Sequence, residues 1–122
     1  MRLPRWITVL AIAVTLFGTV QGARAAFGAI AYSPSTGSYG YWYGANCRAE
    51  AENGALNNCG GADRQIVVWV QNGWASLAVN NEGRWGYGWS TNCREEADRN
   101  ALNNAGGRRC GARILCWVAS GS

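Results

Sequence analysis

The 122-residue sequence predicts an α+β domain: two ββαβ repeats forming a mixed sheet of about six strands, with two helices packed on one face. Three observations carry this reading. Segments 46–61 and 92–107 are identical at eleven of sixteen positions, where chance gives roughly one, and a repeat of this length governs the architecture. Each copy runs in the same order through an aromatic stretch of period two, a stretch with apolar residues at helical spacing, and a β-branched run. The helical stretches present faces made mostly of alanine, which can lie close against a sheet.

Before the repeats comes a processing segment. Arg2 and Arg5 precede an almost unbroken apolar run, Trp6 to Val20, and Ala23-Arg24-Ala25 supplies a small-x-small cleavage site. Residues 1–25 therefore read as a signal peptide, with Ala26 as the mature N-terminus. The run is shorter than the ~20 residues a spanning helix needs, and no second one follows, so no stable membrane insertion is expected after cleavage. The remainder, 26–122, is one small domain of two repeats, 26–74 and 75–122.

In the first repeat Ala29–Tyr32 reads as a strand, Ser33-Pro34-Ser35-Thr36-Gly37 as a turn, and Ser38–Tyr43 as a second strand. Asn46 is placed to cap a helix; in the second repeat Asn92 with Glu95 resembles a capping box. Gly60-Gly61 and Gly106-Gly107 mark the helix ends. Gln65–Val70 and Arg113–Val118 are apolar enough for buried strands. Gly37, Gly40 and Tyr41 match Gly83, Gly86 and Tyr87, and Ile66-Val67-Val68-Trp69 matches Ile114-Leu115-Cys116-Trp117 after a two-residue insertion.

The side-chain pattern suggests which faces meet. Ala51, Ala55, Leu56 and Cys59 share one helix face, as do Ala97, Ala101, Leu102 and Ala105. Large rings are expected to fill the space beneath such faces. Tyr39, Tyr41 and Tyr43, and Trp85, Tyr87 and Trp89, offer them at period two. By parity Trp42, Val67, Trp69, Leu115 and Trp117 fall on the opposite face, which no third layer covers. An uncovered apolar face reads as a partner site, and Trp42, Trp69, Trp117 and Leu115 are its candidate binding residues.

Composition bears on chemistry mainly by exclusion. The chain has no His and no Lys, which removes His-based nucleophile pairs, His general bases, Schiff-base lysines and His-containing metal sites. Removing Arg2, Arg5 and Arg24 with the leader leaves eight arginines against seven acids, a net charge of +1, so no basic field points to nucleic acid. The paired carboxylates Glu50/Glu52 and Glu95/Glu96/Asp98 fall in the first turns of the helices, where acids complement the helix dipole. Neither a metal nor a cofactor is expected.

Five cysteines follow the leader, an odd number. A helix of about twelve residues spans ~18 Å, and a returning strand of five or six spans about the same. Cys116 is thus expected to come back to Cys93, giving Cys93–Cys116. Cys59 and Cys110, both at helix-to-strand junctions, are the next pair, and Cys47 is left free or links two chains.

The run Gly28 to Gly37, followed by Arg48-Ala49-Glu50-Ala51-Glu52 and Val67-Val68-Trp69-Val70, resembles a family of secreted bacterial proteins known as domain of unknown function 4189, in a two-repeat form. The likeness spans roughly residues 26–118. It implies secretion and brings no catalytic residue or cofactor. The chain departs from that family's cysteine pattern at Trp74 and Ala105. The expectation is an exported, non-enzymatic binding module in the periplasm, at the envelope or outside the cell, whose partner is an envelope glycan or protein. An inhibitor or immunity-type protein against a secreted or periplasmic enzyme is the alternative, and a carboxylate-based glycan hydrolase a third reading. A homodimer would form through the uncovered face or Cys47.

Overall fold

The computed structural model describes residues 26–120; the segment expected to be a signal peptide, 1–25, lies outside the described residues. The chain folds as β1 (Phe27–Tyr32), β2 (Tyr39–Ala45), α1 (Arg48–Asn57), β3 (Gln65–Gln71), β4 (Trp74–Val79), β5 (Trp85–Ser90), α2 (Arg94–Asn104) and β6 (Arg113–Ala119), with a 3-10 turn at Arg108–Cys110. This is an α+β fold of two ββαβ units. The two-residue insertion of the second unit falls at the 3-10 turn.

The strands form two sheets, in the orders β2-β1-β3 and β5-β4-β6, and every pairing is antiparallel. The expected single mixed sheet is thus corrected. Each helix carries the chain back so that its closing strand pairs on the free side of the first strand, which completes a three-stranded sheet within each unit. The units then meet face to face. Ile30, Tyr32, Val68 and Val70 of one sheet pack with Ala75, Leu77, Val79, Cys116 and Val118 of the other, and Ile30 and Leu77 are fully buried. β1 lies over β4, β2 over β6 and β3 over β5. The layers run helix, sheet, sheet, helix, so the sheet face opposite each helix is covered by the other repeat.

The helices pack against small residues. Ala29, Ala31 and Ala45 meet Ala51, Ala55 and Cys59 under α1; Ala78 meets Ala101 and Ala105 under α2. A Cβ at Gly40 would come within 2.5 Å of the Ala55 carbonyl oxygen and the Cys59 amide, and one at Gly86 within 2.5 Å of the Ala105 amide. Small residues on both sides let helix and strand approach almost backbone to backbone. The two units trade bulk at one point: Trp42 lies against Gly54 of α1, whereas its counterpart Gly88 lies against Asn100 and the backbone of α2.

Each helix is capped one residue later than predicted. The N-caps are Cys47 and Cys93, neither with a side-chain capping bond. Glu50 accepts from the Asn46 amide at 3.1 Å. Glu96 rather than Glu95 accepts from the Asn92 side chain, at 3.2 Å. α2 ends as its glycines require: Gly106 has φ +105°, and the Gly107 amide reaches back to the Leu102 carbonyl at 2.8 Å.

Candidate functional site

The register places the aromatic residues differently from the sequence expectation. Tyr41 stands opposite Ile30 and Tyr87 opposite Leu77, so both point away from their own helices, toward the facing sheet. They stand on β2 and β5, at the sheet margins, and remain exposed: Tyr41 43%, Tyr43 60%, Tyr87 42% and Trp89 55%. The expected burial of these rings beneath the helices is therefore corrected. Gly40, Gly86 and Gly88 occupy the helix-facing positions instead. Trp85 alone of the two triads turns well inward, with its ring 5.7 Å from that of Tyr32.

Two lateral openings of the sandwich result. One is lined by Tyr39, Tyr41 and Tyr43 of β2 and by Leu115 to Ala119 of β6. The other is lined by Tyr87 and Trp89 of β5, Thr91, and Val67 to Gln71 of β3. Exchanging the two units maps one opening onto the other. On the outer side of the same rings lies a second hollow, with Trp42 and Asn58 beside β2 and Asn100, Asn103 and Asn104 beside β5. The paired asparagines of the repeat explain how these sheet edges are protected. Asn58 Nδ2 donates to the Tyr41 carbonyl at 3.1 Å, and its counterpart Asn104 donates to the Tyr87 carbonyl at 2.6 Å. An occupied carbonyl is unavailable to an incoming strand.

The proposed binding tryptophans do not share an open sheet face. Trp42 and Trp69 stand opposite Ala29, and Trp117 opposite Ser76, all on the helix side. The Arg48 guanidinium sits 4.4 Å from the Trp69 ring, and Arg94 sits 4.0 Å from that of Trp117. Each arginine starts its helix and pairs four residues on, Arg48 with Glu52 and Arg94 with Asp98. Leu115 packs at the margin of the inter-sheet core. Even so, Trp69, Trp117 and Leu115 contribute to the walls of the openings. Sequence reading missed Tyr39, Tyr41, Tyr43, Tyr87 and Trp89; the alternating glycines were the available signal, since a helix faced with alanine approaches glycine most closely.

Glu50, Glu52, Asp63, Glu96 and Asp98 are engaged structurally. Asp63 ties the β1–β2 turn down, accepting from the Ser33 hydroxyl, from the Ser35 amide at 3.0 Å and from the Ser35 hydroxyl at 2.8 Å. Asp98 accepts from buried Ser76 as well as from Arg94, and Glu96 accepts from Ser90. The Ser33 and Ser35 hydrogen bonds hold the Asp63 carboxyl below its usual range, and those from Ser90 and Asn92 do the same for Glu96. A lowered carboxylate stabilises the fold above its unfolded value, ~3.9 for Asp and ~4.3 for Glu, and that contribution is lost as pH falls through the folded value. The urea midpoint is expected to hold down to about pH 5 and to drop below about pH 4, a drop made shallower by Asp63→Asn and Glu96→Gln. A midpoint unchanged between those pH values and about pH 2.5 contradicts this.

All five cysteines are free thiols, which corrects both expected disulfides. Cys93 caps α2 on the helix side, whereas Cys116 stands opposite Leu77 in the inter-sheet core; the sheet itself separates them. Cys59 lies under α1, and Cys110 follows α2 in the other unit. Burial, with a smaller effect from the nearby Cys59 thiol, pushes Cys116 up to about 12. Thiolates, not thiols, are alkylated. In native protein near pH 8, buried Cys116 is therefore expected to react with iodoacetamide far more slowly than exposed Cys47. Comparable rates, read by peptide mass spectrometry, would contradict the burial of Cys116.

Among the described residues no three His, Cys, Asp or Glu side chains converge as a metal-binding group, and no helix is long and apolar enough to cross a membrane. Neither a curated protein nor a solved structure matches the chain. Residues 27–117, which run from the first residue of β1 into β6, match the family described as Domain of unknown function (DUF4189), and the chain belongs to that family.

Proposed function

We propose that this domain is an exported, non-enzymatic binding module, acting in the periplasm, at the envelope or outside the cell, and that it holds its partner at the two openings of the sandwich. The observation that carries the reading is the duplication of half-exposed rings, Tyr41 and Tyr43 on β2 and Tyr87 and Trp89 on β5. Rings needed only for packing would be buried. Large amphipathic rings left accessible at a concave margin are typical of recognition surfaces. The leader fits export, and the structural duties of Glu50, Glu52, Asp63, Glu96 and Asp98 favour binding over acid–base catalysis.

The test is retention on insoluble cell-envelope material. Wild-type protein is expected to be retained, and Tyr43→Ala combined with Trp89→Ala to weaken retention about tenfold or more, since each ring carries on the order of 1 kcal/mol or more at an interface. The variant should melt within a few degrees of wild type, because both side chains are mostly outside the core. Undiminished retention by the folded double variant, or none by wild type, contradicts the reading. Elution with one enzyme in place of insoluble material would make the protein an inhibitor.

A further inference from the structure

Resting on that reading, we infer that the occupant of both openings is a neutral glycan chain, bound at two equivalent sites per domain. The first argument is charge. Among the described residues, no carboxylate or arginine lines either opening or either of the outer hollows. The arginines that lie over the Trp69 and Trp117 rings are already paired, Arg48 with Glu52 and Arg94 with Asp98. An anionic polymer would find no counter-charge there, and desolvating its charges without partners is costly.

The second argument is the chemistry on the two sides of each ring. Tyr41 and Tyr43 border an apolar opening toward β6 and a hollow toward Asn58. Tyr87 and Trp89 border an opening toward β3 and a hollow toward Asn100, Asn103 and Asn104. A pyranose matches that division: its C–H face lies flat on an aromatic ring, while its hydroxyl rim seeks amide donors and acceptors of the kind asparagine supplies. Alternate residues of a strand are about 6.7 Å apart, so each pair of rings can engage separate sugar units of one extended chain. A protein partner would call for a contiguous apolar core at the contact. Here Trp42 stands between Tyr41 and Tyr43 and Gly88 between Tyr87 and Trp89, and asparagine amides edge both pairs.

The duplication adds a prediction of stoichiometry. The exported protein, titrated calorimetrically with neutral β-linked hexasaccharides of glucose and of N-acetylglucosamine, is expected to bind at least one of them at two sites per chain. The affinity should barely change between about 50 and 500 mM salt, because no ion pair forms. Tyr43→Ala and Trp89→Ala are each expected to remove one site, and the double variant both, with the melting curve preserved. Binding only to an anionic oligogalacturonate, or neutral binding untouched by the double substitution, overturns the inference. Envelope retention that depends on the two rings, with no binding of any neutral hexasaccharide, overturns the glycan assignment and leaves the binding-module reading standing. Absence of both retention and hexasaccharide binding removes the two together.

Discussion

Valine at Gly40 or Gly86 is expected to destabilise the fold by about 3 kcal/mol or more, the upper end of what overpacking costs. In a domain this small that is a fall in Tm of roughly 10–25 °C. The magnitude follows from what the new atoms would strike. A Cβ at either position lies 2.5 Å from helix backbone atoms, among them the Ala55 carbonyl at Gly40 and the Ala105 amide at Gly86. No rotamer change can relieve a collision with backbone, so the helix must lift off its sheet. Lifting it also strains the Asn58 and Asn104 bonds to the neighbouring strand carbonyls. Tyr43→Ala, on the same strand as Gly40 and 60% exposed, serves as the baseline and should cost far less. A Gly40→Val protein that melts with that control would show that helix and strand are not in close contact.

The second large effect is expected at the interface between the sheets. Ile30→Ala and Leu77→Ala should each cost about 2–5 kcal/mol, as truncation of a fully buried aliphatic side chain does; both residues are completely inaccessible. Tyr41→Ala and Tyr87→Ala, their cross-strand neighbours on the same sheet face, should cost less, because their rings are 43% and 42% exposed. Chemical denaturation of the four variants checks the ordering. The opposite order would put the tyrosines in the core and the aliphatic pair outside it.

That ordering also marks where sequence reading stopped. The repeat, the order of elements and the extents of the strands were legible, since they rest on identity between copies and on local pattern. Gln65–Val70 and Arg113–Val118 were read one residue short of β3 and β6. Period two separated the tyrosines from Trp42, Trp69 and Trp117, but bulges at Val67 and Leu115 break the alternation and turn those two toward the inter-sheet core, and parity cannot say which face meets the helix. The decision turned on alanine. A helix faced with Ala51 and Ala55 could leave room for tyrosines, or it could settle onto glycine; Gly40, Gly86 and Gly88 show the second. Once the faces are exchanged, Tyr41 and Tyr87 move from core to margin, and Trp69 and Trp117 move to the helix flanks beneath Arg48 and Arg94. The two units supply each other's missing layer, a long-range fact that no window of sequence contains. The same exchange undoes Cys93–Cys116: chain lengths matched, but the two thiols lie on opposite faces of a sheet.

The sheet-to-sheet arrangement, with its aromatic margins, is tested most directly by nuclear Overhauser contacts in the folded protein. Cross-peaks are expected between the Ile30 methyls and methyls of the facing sheet, Leu77 and Val118 among them, with the Tyr41 ring showing none to the Ala55 methyl. Contacts from the Tyr41 ring to Ala55, with none between Ile30 and Leu77, would place the tyrosines under the helix and contradict both the packing and the two openings built from it.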